Sequence, residues 1–185
     1  KSFQDRTSDE VSPALDELTR AAGGRLRGLV LDLRFNPGGL LDESVFVADQ
    51  FLREGVIVST RGRNGQAQDE ARARAAGTRP EFPIVVLVNE SSASAAEILA
   101  GALQDHRRAT LVGVRTFGKG SVQSVIDLPG GGALKLTIAR YYTPSGRSIQ
   151  AQGIAPDVQV EQVEMPDPAR ATPRAEDGAE TPVER

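Results

Sequence analysis

Two short segments of the 185-residue chain carry side chains suited to acyl transfer. In NESSASAAEI, residues 89–98, several serines follow an apolar run and open a helical pattern. A serine at a strand-to-helix turn stands exposed at a sheet edge, beside the N–H groups of the first helical turn. Those groups and the helix dipole can hold a developing oxyanion. Ser94 is the candidate nucleophile, and the alanines around it leave room for a substrate backbone. The same residues also have a plainer reading: Ser94-Ala95-Ala96-Glu97 fits the capping box S-x-x-E, in which Ser94 only starts a helix.

A nucleophilic serine needs a base. The single histidine, His106, sits in the charged segment LQDHRRAT at a predicted helix end, and reads as a solvated or helix-terminal residue. Lys119, in GVRTFGKG (113–120), is the other candidate. Its ordinary pKa is about 10.4, so proton acceptance near neutrality asks for a fall of roughly three units, or about 4 kcal/mol. Burial supplies such a fall by penalising the ammonium, and Val114, Phe117 and Val122 are apolar neighbours in sequence. Gln123 follows four residues later. Even spacing on a strand puts it on the same face, where its amide oxygen can accept from the amine.

GVRTFGKG also resembles a phosphate-binding loop, but Gly120 stands where the metal-binding Ser or Thr belongs. A hairpin follows rather than a helix, so no helix N-terminus is offered to a phosphate. The third element is Asn36-Pro37-Gly38-Gly39. By itself it is a tight turn. Without Cβ atoms, Gly38 or Gly39 also lets a substrate approach, and its N–H completes an oxyanion hole opposite Ala95.

The spacing predicts helices over residues 8–24, 40–55 and 95–104. In the second, Leu41, Val45, Ala48 and Leu52 share one side. Residues 28–34 and 83–88 are near-continuous apolar runs and read as strands buried on both faces. Residues 56–60 and 109–114 read as further strands. Residues 121–128 and 133–142 form a hairpin across Pro-Gly-Gly-Gly. Residues 61–80 are polar and without period, and read as a long excursion. The alternation predicts an α/β core with a mixed sheet and a late antiparallel hairpin. Residues 1–160 form one domain; residues 161–185, rich in Pro, Ala and charge, read as a disordered tail.

Net charge is −3, apolar content is 39% and there is no cysteine. Those values exclude a basic nucleic-acid surface, a thiol nucleophile and a disulfide framework. No apolar run approaches a membrane span.

LDLRFNPGGLL (31–41), SASAAEILAGALQD (92–105), TFGKGSVQ (116–123) and YYTPSGRSIQAQGIAPD (141–157), in this order, resemble the protease core of C-terminal processing peptidases, or tail-specific proteases. The resemblance covers nearly everything up to about Val160. It implies a crotonase-like α/β serine peptidase core with Ser94 as nucleophile, Lys119 as general base and Gln123 supporting the lysine. Backbone N–H groups of Ala95 and of the Gly38-Gly39 turn form the oxyanion hole, and no metal or cofactor is called for. It implies an extended polypeptide substrate, unfolded or C-terminally tagged, and a bacterial setting, either periplasmic or membrane-associated and facing the periplasm. The family carries a PDZ domain ahead of this core, and KSFQDRTS resembles the strand that follows it, so the chain reads as an excised core. A PDZ domain or an adaptor would regulate the full-length protein, and a homo-oligomer stays open. One departure is Ala96, where the family has a third serine. Two alternatives remain: a silent peptide-binding or scaffold module on the same fold, and an acyl-CoA enzyme of crotonase type, which leaves the Ser-Lys-Gln set unexplained.

Overall fold

The structure, a computed structural model, describes residues 2–160. Its elements in chain order are α1 (Thr7–Ala21), β1 (Leu29–Asp32), α2 (Leu41–Asp49), β2 (Val56–Arg61), β3 (Ala67–Arg72), β4 (Ile84–Val88), α3 (Ala95–Asp105), β5 (Thr110–Gly113), β6 (Ser121–Asp127), β7 (Ala133–Tyr142) and β8 (Val158–Gln159). They form two four-stranded sheets. One is parallel, in the order β1-β4-β5-β8; the other is antiparallel, in the order β3-β2-β7-β6. The expected α/β core and late antiparallel hairpin are present; the parallel and antiparallel strands expected in one mixed sheet are divided between these two sheets.

The β4-α3-β5 unit positions the site. β4 buries Ile84, Val86 and Val88, and its parallel pairing with β5 requires a crossover. That crossover is α3, and every residue from Ala95 to Leu103 in it is buried. A helix apolar on all sides finds such a place at the centre of a molecule. Its N-terminus therefore meets the C-terminal end of β4, where open parallel sheets place their ligands.

Several expectations need correction. β3 forms inside the segment read as an excursion: Ala67–Arg72 pairs antiparallel with β2. Its residues are exposed apart from half-buried Ala71, so no apolar alternation marks it. β1 is not buried on both faces. It is an edge strand, and Val30 is 64% exposed. α2 is shorter than the apolar spacing suggests and ends at Asp49. Leu41 and Val45 are only half-buried in it, while Val47 and Ala48 are buried. The tail expectation for residues 161–185 lies outside the described residues.

Glu43 is also buried, and its Oε2 accepts the Ser8 N–H at 2.7 Å, capping the first turn of α1 from α2. That N–H holds the Glu43 carboxyl below the usual glutamate value. The contribution is therefore complete above the ordinary value of about 4.3 and fades as pH falls through the lower folded value. Glu43→Gln is expected to cost about 1 kcal/mol at neutral pH, the usual worth of a lost cap. In urea unfolding the variant should also lose less stability than the parent on acidification below about pH 5.

Candidate active site

Two turns meet at the end of the parallel sheet. Residues 33–39 leave β1 and residues 89–94 leave β4. Ser92 Oγ donates to the Leu33 carbonyl at 2.8 Å and accepts the Asn89 N–H at 3.0 Å. Asn89 Oδ1 accepts the Phe35 N–H at 2.9 Å, and the Ala93 N–H donates to the Asn36 carbonyl at 2.9 Å. The NPGG and NESSAS segments, 50 residues apart in sequence, thus fold as one unit. Gly38 lies against the serine turn. A Cβ there would stand 2.6 Å from Ala93 O and 2.8 Å from Ser94 Cβ, and its φ is +95°. Only glycine lets the two backbones come this close.

Ser94 is the N-cap residue of α3, with φ 55° and ψ −117°. A non-glycine residue held so costs of order 1–3 kcal/mol, and the surroundings must enforce it. Between Ser92 and Leu103, Ser94 alone is not buried. Glu97 Oε2 accepts the Ser94 N–H, the carboxylate half of the capping box, but no N–H of the first turn reaches the Ser94 hydroxyl among the described residues, so the plainer reading holds only in part. In the first turn, Ala96 N–H goes to the Ala93 carbonyl, and Glu97 and Ile98 N–H go to the Ser94 carbonyl. Ala95 N–H has no acceptor among the described residues. Gly38 N–H is taken by Asn36 Oδ1 at 2.9 Å, whereas Gly39 N–H has none.

Glu97 joins this turn to the lysine loop. Its carboxylate is fully buried. Oε2 accepts the N–H of Ser94 at 2.8 Å and of Lys119 at 2.8 Å. Oε1 accepts the Thr116 hydroxyl at 2.5 Å and the Gly118 N–H at 2.7 Å. The backbone nitrogens of Ser94 and Lys119 therefore share one oxygen. The fourth sequence motif braces the loop from behind. Ile154 N–H donates to Thr116 Oγ1 at 2.7 Å, and Gly120 N–H to Gln150 Oε1 at 3.1 Å.

The side chains of Lys119 and Gln123 both reach solvent. The buried lysine expected from sequence is thus corrected. Its apolar neighbours point elsewhere: Phe117 is 66% exposed, and Val114 and Val122 are half-buried. No hydrogen bond links Lys119 to Gln123 or to Ser94 among the described residues. His106 caps the far end of α3, about 18 Å along its axis from Ser94, and its Nε2 meets the Val56 carbonyl at 2.7 Å. It is excluded as the base. Asp32 and Arg34 of the LDLR segment bind each other in a bidentate pair, with the Arg34 guanidinium holding the Asp32 carboxyl low. The lysine loop leads into strand β6, so the phosphate-loop reading fails as expected.

The model of Peptidase family S41 matches residues 1–160. The chain belongs to this family. It is 53% identical over 161 residues to a carboxy-terminal-processing protease of Bartonella bacilliformis, covering 86% of this chain and 37% of that protein. It is 47% identical to a carboxyl-terminal-processing protease of Synechocystis, covering 36% of that protein. Among solved structures, the photosystem II D1 C-terminal processing protease superposes with a TM-score of 0.79 at 40% identity, over 86% of this chain and 40% of that one. The chain spans little more than a third of the length of the curated relatives it matches.

In this S41 core the residue that sequence reading undervalued is Glu97. It was visible only as the last letter of a capping box; the clue was a carboxylate inside an otherwise apolar helix. Glu97→Gln keeps the shape but turns one acceptor into a donor facing N–H groups. It is expected to lower unfolding free energy by about 2 kcal/mol or more. Amide exchange at Gly118 and Lys119 should rise at least about tenfold, a readout of the loop tether itself.

Proposed function

We propose that this chain is the catalytic core of a serine endopeptidase that cuts extended polypeptides, drawn from unfolded or C-terminally tagged proteins, through Ser94 and Lys119. The observation that carries this reading is the shared Glu97 oxygen, which fixes the nucleophile's turn against the base's loop. A helix cap alone needs no such link to a loop 22 residues on.

Ser94 Oγ attacks the scissile carbonyl carbon while the neutral Lys119 amine takes the hydroxyl proton. The C–N bond then breaks, and Lys119 returns that proton to the leaving amine. Water attacks the acyl-enzyme, again giving a proton to Lys119, and the acid product leaves with Ser94 restored. Ala95 N–H is one oxyanion donor. Gly39 N–H is the other: the Gly38 carbonyl accepts the Phe3 N–H at 2.8 Å, and a trans peptide sends the Gly39 N–H the opposite way. Gln123 orients the amine once a substrate is in place. A peptide laid over Ser94 would also strip water from Lys119, and such closure often completes a regulated protease. In the longer protein, a PDZ domain or an adaptor would govern that step, in the bacterial periplasm. No helix among the described residues is long and apolar enough to cross a membrane.

The test is casein cleavage by the parent, Ser94→Ala, Lys119→Ala and Lys119→Arg. Each variant is expected to lose about 10³-fold or more, and Arg does not rescue because its guanidinium stays protonated. Equal cleavage by all four sinks the assignment. If the parent is silent and the longer protein is active, the core needs its flanking segments; if both are silent, the scaffold reading stands.

A further inference from the structure

The molecule carries an arginine cleft that the chemistry above does not use. Arg61 on β2 and Arg140 on β7 are directly opposite each other in the antiparallel sheet. Like charges placed so repel, since opposed Cβ atoms lie about 5 Å apart. Arg63, on the turn after β2, lines the same cleft with Tyr142, and no acidic residue among the described ones lines it. Six other arginines of the described residues are in ion pairs, but Arg61, Arg63 and Arg140 are in none. Nor does any of the three make a side-chain hydrogen bond there. On β3, Glu70 is taken by Arg72 at 2.9 Å, and Asp69 stands opposite Thr60. The chain is acidic overall, so three uncompensated arginines in one cleft are not a consequence of composition.

The cleft is built rather than loose. The Arg61 guanidinium lies over the Tyr142 ring, 4.3 Å from its centre, which fixes the fork. The cleft also joins the lysine loop. Arg140 is opposite Ser121, two residues past Lys119, and Tyr141 N–H donates to the Gly120 carbonyl at 2.8 Å. Arg140 is one strand from Ser121 and Arg61 two. At about 4.8 Å per strand and about 3.3 Å per residue, an extended peptide passing Ser121, two residues beyond the Lys119 that shares a Glu97 oxygen with Ser94, crosses to the pair within roughly three residues.

We propose that Arg61 and Arg140, with Arg63 beside them, bind a carboxylate of the polypeptide substrate a few residues from the scissile bond. The forks match a planar carboxylate and relieve their own repulsion by doing so. The carboxylate is either the substrate's C-terminus or an acidic side chain near it. This specificity site rests on the peptidase reading above.

The test uses fluorescein-labelled unstructured decapeptides and the Ser94→Ala chain, so that binding is read without turnover. One peptide ends in a free carboxylate, a second in an amide, and a third is the amide with a penultimate Glu. The acid is expected to bind about tenfold tighter than the amide, and salt should shrink the gap. Arg61→Gln with Arg140→Gln should erase the gap between acid and amide. Arg140→Gln alone, at an exposed position, should narrow it by at least about threefold. Regain of affinity by the Glu peptide assigns the group to a side chain; no regain assigns it to the terminus. Equal binding of all three peptides, a gap that survives the double variant, or no binding at all overturns the proposal. An intact gap, with neither this chain nor the longer protein cleaving casein, sinks only the peptidase reading, and cleavage without a gap sinks only this one.

Discussion

Glu97 sits where water does not reach, so the protein must satisfy both of its carboxylate oxygens. Four donors do so, and they come from two places: the start of α3 and the loop between β5 and β6. A buried carboxylate without partners is costly enough to unfold a domain, so the four bonds are made together or the local fold is lost. That necessity fixes where Lys119 begins relative to Ser94. It also explains why Thr116, Gly118 and Lys119 follow one another along the chain: each supplies one donor to the same group.

The two sheets divide the work. The parallel sheet brings the two turns together at its C-terminal end and forces Ser94 into a left-handed backbone that only a stitched surrounding can hold. Gly38 removes the one Cβ that would prevent the approach. The antiparallel sheet carries the lysine loop onward as β6, with Arg140 and Arg61 in register beside it. The backbone of the site is buried, while the side chains of Lys119 and Gln123 reach outward. The scaffold is preformed, and the surface around these side chains is open. An S41 core that is little more than a third of its relatives' length fits that division, since a substrate or a neighbouring segment can supply the remaining cover.

Much of this was legible in the sequence, for identifiable reasons. Helix and strand periods marked nearly every element of the α/β core, and Pro-Gly-Gly-Gly marked the hairpin turn. Four short motifs in fixed order named the family, because close backbone approaches and caps demand particular residues at particular positions. β3 was invisible because an exposed edge strand has no apolar face to alternate. The exposure of Val30 was invisible because an apolar run reads the same whether one face or both are covered.

What the sequence by itself determined was therefore local: which residues start and stop elements, which glycines avoid strain, and which serine and lysine are candidates for the chemistry. What only the tertiary structure decided is long-range. The pairing of Ser94 with Lys119 through one oxygen of Glu97, the outward path of the lysine, and the meeting of Arg61 with Arg140 all join residues far apart along the chain. Neither period nor spacing encodes such meetings. They arise when buried polar groups must find partners, and those partners are set by strand order and register.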